Sequence, residues 1–227
     1  MEIYAYQEKT KTLKRLTTAK GYDAEGGYSP DGQWIVFSST RLAYDHALTP
    51  AEEKQLATDP SWFAEIYVMK ADGSEQKRLT TTPGYDGGPF FTPDGRKILW
   101  RRFDESGLIA DVWMMNPDGS GKTQVTDFKA MSWAPYMHAS GEYILFASNK
   151  LGFENFEVFM VDAAGTREPV RITYSDGFDG LPVPSPDGRQ IAFTSARSGG
   201  GAGQIFLAQW NHEAALAAIK AAPLRKK

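Results

Sequence analysis

Short runs of aliphatic and aromatic residues recur along the chain, and the same turn sequence precedes each run. The repeated unit reads Ser/Thr-Pro-Asp-Gly, and an aromatic residue stands five positions after the glycine in every copy. Proline fixes φ in the turn, aspartate bonds its own backbone and glycine relieves the exit, so the unit predicts a tight connection between two strands. The copies, with their aromatic residues, are Ser29–Gly32 with Phe37, Thr92–Gly95 with Trp100, the degenerate His138–Gly141 with Phe146, and Ser185–Gly188 with Phe193.

A second repeated unit combines an acidic or amide residue, a β-branched residue and an aromatic residue. It starts at Glu2, Glu65, Asp111, Glu157 and Gln204, so the successive spacings are 63, 46, 46 and 47 residues. Asp72-Gly73 and Asp118-Gly119 lie inside this unit, where a primed hairpin turn favours an Asp-Gly dipeptide. A hydrophobic residue and a threonine close four of the units, at Leu16-Thr17, Leu79-Thr80, Val125-Thr126 and Ile172-Thr173.

Together the two units predict four short antiparallel strands in each period of about 46 residues, which is the content of a propeller blade. We therefore predict an all-β fold, a β-propeller of four-stranded antiparallel blades with about four to five blades in residues 1–210. A single blade buries too little surface to be stable alone, so neighbouring blades must stack face to face.

The unequal number of the two units leaves the closure of the ring open. In one alternative, the N-terminal strands of residues 2–17 pair with the last Pro-Asp-Gly unit, and the strand Gln204–Trp210 is surplus. In the other, the chain is part of a larger ring, or it completes a ring with another chain, as in a homo-oligomer. An open strand edge favours such completion because it offers free backbone donors and acceptors.

Two segments interrupt the strand pattern. The insertion 42–62 contains Thr49-Pro50-Ala51-Glu52, a capping box with proline at the first helical position, which predicts a short helix near residues 50–57 on one face of the ring. In the segment 211–227, Asn211 is placed to cap an alanine-rich helix from His212 to about Ala221. Pro223 ends this helix, and the basic tail Arg225-Lys226-Lys227 follows.

Composition and charge exclude several classes of partner and site. The formal net charge is −3, with 25 basic and 28 acidic residues spread along the chain, so we expect no nucleic-acid partner. Cysteine is absent, which excludes disulfides and thiolate metal sites. We expect no membrane span and no secretion signal, because no stretch has the required apolar length or charge pattern.

The Pro-Asp-Gly turn, the Asp/Glu-Ile-Tyr strand and the Leu-Thr close resemble the repeats of the TolB-like β-propeller family across residues 2–210. The resemblance implies a propeller that serves as a binding or gating platform for a protein or peptide partner. Propellers of this family occur in the periplasmic Tol system and as the propeller portion of peptidase-fused proteins. The resemblance therefore implies a periplasmic or extracytoplasmic location.

A short loop precedes each innermost strand, and we expect these loops to ring the mouth of the central channel. Three of them carry an aromatic residue followed by aspartate, at Tyr22-Asp23, Tyr85-Asp86 and Phe178-Asp179. These aspartates, with Glu25 beside them, could bind a cation such as Ca²⁺ or capture a basic peptide end. Alternatively, each aspartate caps its own turn, as Asp31, Asp94 and Asp187 are expected to do in the Pro-Asp-Gly turns.

Aromatic residues near the same rim either pack between the blades or act as exposed anchors for a ligand. These residues are Tyr22, Tyr85, Trp133, Tyr136 and Phe178. In the second blade, Arg101-Arg102 replaces the small residues of the other blades. We expect this pair either to contact an anion or carboxylate of a ligand, or to form a salt bridge to Asp104 or Glu105.

The sequence offers little support for a catalytic site. No Gly-x-Ser-x-Gly elbow and no phosphate-binding glycine loop occur. His46, His138 and His212 lie in three different contexts, so we expect no shared metal triad. The glycine-rich segment Ser198–Gly203 connects two strands and is interpreted as a flexible loop.

We therefore predict a non-catalytic module that binds a protein, peptide or small ligand at the channel mouth, with the insertion shaping the rim. Two alternatives remain from the sequence. The chain could be an accessory domain that gates substrate for a larger peptidase, or a propeller lyase that uses a metal in the channel.

Overall fold

The computed structural model describes residues 1–198 and 203–225, and these residues form short strands with two α-helices. The helices are α1 (Pro50–Thr58) and α2 (His212–Ala221). The strands are β1 (Tyr4–Gln7), β2 (Thr12–Arg15), β3 (Asp23–Tyr28), β4 (Trp34–Ser39), β5 (Glu65–Lys70), β6 (Lys77–Arg78), β7 (Asp86–Phe91), β8 (Ile98–Phe103), β9 (Ala110–Met115), β10 (Thr123–Gln124), β11 (Ser132–Met137), β12 (Tyr143–Ser148), β13 (Glu157–Asp162), β14 (Val170–Arg171), β15 (Asp179–Pro184), β16 (Gln190–Ser195) and β17 (Gln204–Gln209).

The strands form antiparallel sheets in chain order, as the repeat predicts. The first, second and third blades are the four-stranded sheets β3–β6, β7–β10 and β11–β14, and the fourth blade is the three-stranded sheet β15–β17. The N-terminal strands β1 and β2 form a hairpin of their own. The all-β propeller prediction is confirmed.

One predicted closure of the ring is wrong. In the part of the chain that the structure describes, the N-terminal hairpin does not pair with β15 or β16. The strand expected to be surplus in that arrangement is β17, and it pairs with β16 over six residue pairs from Gln190↔Gln209 to Ser195↔Gln204. It takes the third position of the fourth blade, as β5, β9 and β13 do in the first three blades.

Neighbouring blades stack through alternate residues of their strands. Ile66 and Val68 of the first blade pack in one cluster with Ile98, Trp100 and Met115 of the second. The aromatic position of the Pro-Asp-Gly unit is buried in every blade, which explains why each copy keeps a large side chain there. Helix α2 joins the core between the third and fourth blades, where its buried residues Ala215 and Ile219 lie in one cluster with residues of both blades.

The acidic residue and the threonine of the second unit connect the third and fourth strands of a blade through hydrogen bonds. In the second blade, Thr126 Oγ1 donates to Asp111 at 2.9 Å and accepts the backbone N–H of Val112 at 2.9 Å. The same arrangement joins Glu2 to Thr17, Glu65 to Thr80 and Glu157 to Thr173. One threonine hydroxyl thus satisfies a buried carboxylate and a buried backbone N–H. This explains why the acidic residue and the threonine both recur in the repeat.

The predicted Pro-Asp-Gly turns and helix caps are confirmed. Asp31, Asp94 and Asp187 accept hydrogen bonds from the hydroxyl two residues earlier and the backbone N–H two residues later. Thr49 and Glu52 form the capping box of α1, which runs one residue beyond its predicted end. Asn211 caps α2 through a bond from Ala214 N–H. The insertion also contains two short 3₁₀ turns, Arg41–Tyr44 and Pro60–Phe63.

The primed turns predicted at Asp72-Gly73 and Asp118-Gly119, by contrast, are wrong. Both glycines have a left-handed backbone and the aspartates do not, and each glycine N–H bonds the carbonyl three residues earlier, which makes it the last residue of an ordinary turn.

Each innermost strand contains a β-bulge at the same point. The register shifts between Ala24 and Gly27 in the first blade and at the equivalent places in the other three. One residue of every bulge has a left-handed backbone: Glu25 (φ 56°), Gly88 (φ 58°), Ala134 (φ 48°) and Leu181 (φ 54°). Bulges of this kind bend a strand and redirect a side chain, and in the first blade the redirected side chain is the carboxylate of Glu25.

Candidate functional site

The loops before the innermost strands and the insertion lie at the same end of the propeller, which we call the rim. Thr40 N–H, at the start of the insertion, bonds Tyr22 O at 3.0 Å. The Pro-Asp-Gly turns lie at the opposite end, where prolines of three turns line a common basin with Tyr28, Phe90 and Tyr136. Tyr136 therefore does not lie at the rim, and its expected place there was wrong.

At the rim, a polar cluster joins the first blade to the second. Glu25 Oε1 accepts a hydrogen bond from Arg101 Nη2 at 2.6 Å, and Glu25 Oε2 accepts from Tyr85 OH at 2.9 Å and from Gly88 N–H at 2.7 Å. The guanidinium of Arg101 also lies 5.0 Å from the centre of the Tyr85 ring. The structure thus brings together Glu25, Tyr85 and Arg101, three of the predicted site residues.

Two consecutive glycines make room for this cluster. A Cβ on Gly87 would lie 2.2 Å from Tyr85 Oη, and a Cβ on Gly88 would lie 2.1 Å from Arg101 Nη1. Gly88 also holds the left-handed conformation of the bulge. The Gly-Gly pair after Asp86 is therefore the sequence signal of the cluster.

The cluster controls the ionisation of its members. Burial alone would raise the pKa of Glu25, but the charge and hydrogen bond of Arg101, with the bonds from Gly88 N–H and Tyr85, lower it overall. Burial raises the pKa of Tyr85. Glu25 is thus an anion and Tyr85 a neutral hydrogen-bond donor near neutral pH, and the Arg101 cation balances the Glu25 charge.

Ligand-binding clefts typically have volumes of about 300–1,000 Å³. The rim holds a cleft of ≈ 590 Å³ beside the cluster. Tyr22, Tyr44 and Tyr85 supply its aromatic surface, and the insertion contributes Pro60 and Ser61. None of its lining side chains is charged; hydroxyls of Ser38, Thr40 and Ser61 supply the other polar groups. We call this cleft the rim cleft.

The three candidate aspartates form three separate buried ion pairs. Asp23 pairs with Arg41 at 2.9 Å, Asp86 with Arg102 at 2.8 Å and Asp179 with Arg197 at 2.7 Å. Each arginine also lies over the aromatic rings of its own blade. These aspartates are neither turn caps nor a shared cation site. Within residues 1–198 and 203–225, no three side chains of metal-ligating type come together.

The pairing of Arg101 and Arg102 differs from the expected salt bridges. Arg102 binds Asp86 through two hydrogen bonds, and Arg101 binds Glu25, so neither reaches Asp104 or Glu105. Sequence reasoning missed Arg41 and Arg197, although a signal existed. Each lies two residues after the serine that ends the second strand of its blade. In the third blade, Ser132 stands where the other blades have aspartate, and Lys150 stands where the first and fourth blades have Arg41 and Arg197. The Lys150 ammonium lies 3.9 Å from the centre of the Phe128 ring.

The other predicted aromatic residues build a packed stack between the third and fourth blades. Trp133 and Phe178 both pack on Phe156, with ring centres 5.4 Å and 5.7 Å apart. In the part of the chain that the structure describes, five buried side-chain atoms have no hydrogen-bond partner: Asp23 Oδ1, Arg101 Nε, Trp133 Nε1, Asn155 Oδ1 and Asp179 Oδ1.

Two of the three histidines come together, which the sequence did not predict. The rings of His138 and His212 stack with centres 5.0 Å apart, and His138 also stacks on Tyr143. Burial lowers the pKa of His138, so its neutral form is favoured in this stack. His46 lies apart in the insertion, where it contacts Asp45 and Glu52.

Two further sequence expectations concern the chain as a whole. The glycine-rich loop was predicted for Ser198–Gly203, and its residues 199–202 lie outside the described residues. Of the helices in the described ranges, neither has the length and apolar character needed to cross a membrane.

Known proteins share the repeat and the fold of this chain. No family model matches the chain. A protein named TolB homolog from Chlorobium chlorochromatii is 29% identical over 122 residues, which is 44% of this chain and 28% of that protein. The chain therefore spans less than a third of the length of this relative.

Solved structures share the same arrangement of blades. TolB from Acinetobacter baumannii matches with a TM-score of 0.68 and 20% identity, covering 92% of this chain and 46% of that one. A puromycin-hydrolyzing peptidase of Mycobacterium tuberculosis matches with a TM-score of 0.64 and 16% identity, covering 94% of this chain and 34% of the peptidase. In its sequence repeats and in the arrangement of its blades, the chain is similar to these TolB proteins.

Proposed function

We propose that the chain is a non-catalytic binding module that takes up a peptide segment of a partner protein in the rim cleft. The observation that carries the proposal is the cleft itself, ≈ 590 Å³ in volume and lined by Tyr22, Tyr44 and Tyr85. Tyrosine gives large contact area at low entropic cost, and such residues are enriched where proteins bind proteins. The periplasmic location that the TolB likeness implies belongs to the same proposal.

The chemistry of the cleft favours a neutral segment over a basic one. The three aspartates expected to attract a basic peptide end are buried and paired with arginines. The cleft lining carries hydroxyls and aromatic rings, which suit backbone amides and an apolar or aromatic side chain.

The test selects heptapeptides from a random phage-displayed library on the immobilised chain and measures the selected peptides as synthetic ligands. Tyr22→Ala and Tyr44→Ala remove exposed rings from the cleft, and we expect each to weaken binding at least tenfold. Tyr6→Ala is the matched control, because Tyr6 is an exposed tyrosine of the N-terminal hairpin. Failure to select any peptide, or equal binding by the Tyr22→Ala and Tyr44→Ala variants, would overturn the proposal.

A second candidate function is that of an accessory domain that gates substrate for a peptidase. The observation that favours it is the match of 94% of this chain to one third of a peptidase chain. A gating domain must admit many substrates, whereas an interaction module recognises one motif. A shared motif among the selected peptides supports the binding module, and affinity without sequence preference supports gating.

A further inference from the structure

The fourth blade lacks the outermost strand that the first three blades possess. Its strand β17 pairs with β16 on one edge, and no strand of the described residues pairs with the other edge. In the first blade the equivalent edge belongs to β5, which pairs with β6 through Val68↔Lys77. An open edge presents unpaired backbone groups to any strand of suitable sequence.

The first blade shows which backbone groups of β17 are free. Ile66 N–H bonds Thr80 Oγ1 at 2.8 Å, and Ile66 O accepts from Leu79 N–H at 2.7 Å. Ile66 pairs with Ser38 on β4, and Ile205 pairs with Thr194 at the same position of β16. The N–H and C=O groups of Ile205 and Leu207 therefore point to the open edge, since successive residues of a strand alternate in direction.

The side chains beside this edge are apolar and exposed. Ile205 is 82% exposed and Leu207 is 66% exposed. The equivalent residues of the first blade, Ile66 and Val68, are 0% and 7% exposed because they pack against the second blade. The fourth blade thus displays a surface that the same repeat buries elsewhere in the chain.

A groove lies between the third and fourth blades, on the face of β17 opposite the side chains of Ile205 and Leu207. It has a volume of ≈ 410 Å³, and its walls include Ile172 and Tyr174 of the third blade and Phe193, Ala208 and Trp210 near and on β17. Helix α2 leaves this groove open because the chain after it turns back to the third blade. There Glu168 N–H bonds Pro223 O at 2.8 Å, and Arg225 N–H bonds Thr166 O at 2.9 Å.

We propose that β17 accepts an extended segment of a separate partner polypeptide as the fourth strand of this blade. Recognition by strand addition combines backbone hydrogen bonds with pockets for alternate side chains. The outermost strands of this chain supply the template, and they end in an aliphatic residue followed by threonine, as in Val125-Thr126. The aliphatic residue would pack beside Ile205 and Leu207, as Leu79 lies in one cluster with Ile66 and Val68. The threonine would take the place that Thr126 has in the second blade.

In the added strand, the residue before the aliphatic residue determines which charge the site prefers. In the third blade this residue is Arg171, which pairs with the carboxylate of Glu157. The fourth blade has neutral Gln204 where the third has Glu157. The groove therefore favours a neutral residue there, such as Gln124 in the second blade, over an arginine.

The test titrates the whole chain with an eight-residue peptide of sequence SGKTQVTD, which copies residues 120–127, while amide signals and hydrogen exchange are followed by NMR. We expect exchange at Ile205 and Leu207 to slow at least tenfold at saturation. N-methylation at the valine of the peptide should abolish binding, because Val125 N–H bonds Val112 O at 2.8 Å in the second blade. N-methylation at the preceding glutamine is the control, since that N–H faces away from the acceptor strand.

Several results would overturn the proposal. These are no binding at millimolar peptide, equal binding of the two methylated peptides, or protection that appears away from β17. Slow exchange at Ile205 that grows with protein concentration and needs no peptide would assign the edge to a second copy of the chain instead of a separate partner. The Tyr22→Ala variant of the rim cleft should bind this peptide unchanged, so the strand-addition site and the rim cleft are tested independently.

Discussion

Glu25 on the innermost strand of the first blade and Arg101 on the second strand of the second blade form a 2.6 Å ion pair beside the rim cleft. The pair is partly exposed, and Tyr85 donates to the same carboxylate. A double-mutant cycle with Glu25→Gln and Arg101→Met should give a coupling of about 1–2 kcal/mol in the free energy of unfolding, because either single change leaves a partly buried charge without its partner. Urea denaturation of the four proteins measures it, and additive effects would contradict the pairing.

Asp86→Asn should destabilise the protein by about 3 kcal/mol, since the neutral amide removes the anion that Arg102 binds through two hydrogen bonds. Asp86 is fully buried, and its Oδ1 also accepts from Trp100 Nε1 at 2.9 Å. Asp94→Asn is the control, because Asp94 is an exposed turn residue of the same blade. Chemical denaturation should show a cost below about 1 kcal/mol for the control. Equal costs would mean that Asp86 is only another turn cap.

Thr126→Val should cost about 1–3 kcal/mol of stability, although the two side chains have nearly the same shape. The substitution leaves the buried N–H of Val112 without an acceptor and removes the donor to Asp111 Oδ1, while Gln124 still donates to Asp111 Oδ2. Thr123→Val removes an exposed hydroxyl of the same blade and should change stability by less than about 0.5 kcal/mol. Thermal and urea unfolding of both variants provide the comparison; a Thr126→Val protein as stable as the wild type would show that the repeated threonine has another purpose.

Glu65→Gln should stabilise the protein relative to the wild type more at pH 8 than at pH 4. Burial raises the pKa of Glu65 from its ordinary value of 4.5 to about 7, with the Thr80 hydrogen bond opposing and Asp86 adding to the rise. Between these two values the folded state binds more protons than the unfolded state, so the wild type loses stability as pH rises through this window. Glutamine does not titrate, and the difference between the two proteins should grow by about 3 kcal/mol at most.

Unfolding free energies measured at half-unit intervals of pH follow this difference directly. A difference that stays constant between pH 4 and pH 8 would show that Glu65 titrates normally in the folded protein. Because Thr80 Oγ1 donates to Glu65, the side-chain oxygen of glutamine can still accept that bond, and the variant should keep the fold.

The repeat made the blades and both helices predictable from the sequence. Their signals are local: a Pro-Asp-Gly turn, an alternating strand and a capping box each act within a few residues. The site was less predictable. Tyr136 was placed at the rim with Trp133, but the β-bulge of their strand lies between them, and Tyr136 lies beyond it in the opposite basin.

The sequence by itself determined that the chain folds into stacked four-stranded blades, because a repeated unit that cannot bury its own apolar face must pack on its neighbours. Only the tertiary structure decided which charges meet. Asp23 pairs with Arg41 because strands pair, and Glu25 pairs with Arg101 because blades stack. No local sequence pattern encodes the distances between these charged groups. The missing hydrophobic-Thr close after Gln204 was visible in the sequence, but only the structure shows that β17 joins β16 and leaves its other edge open within the described residues.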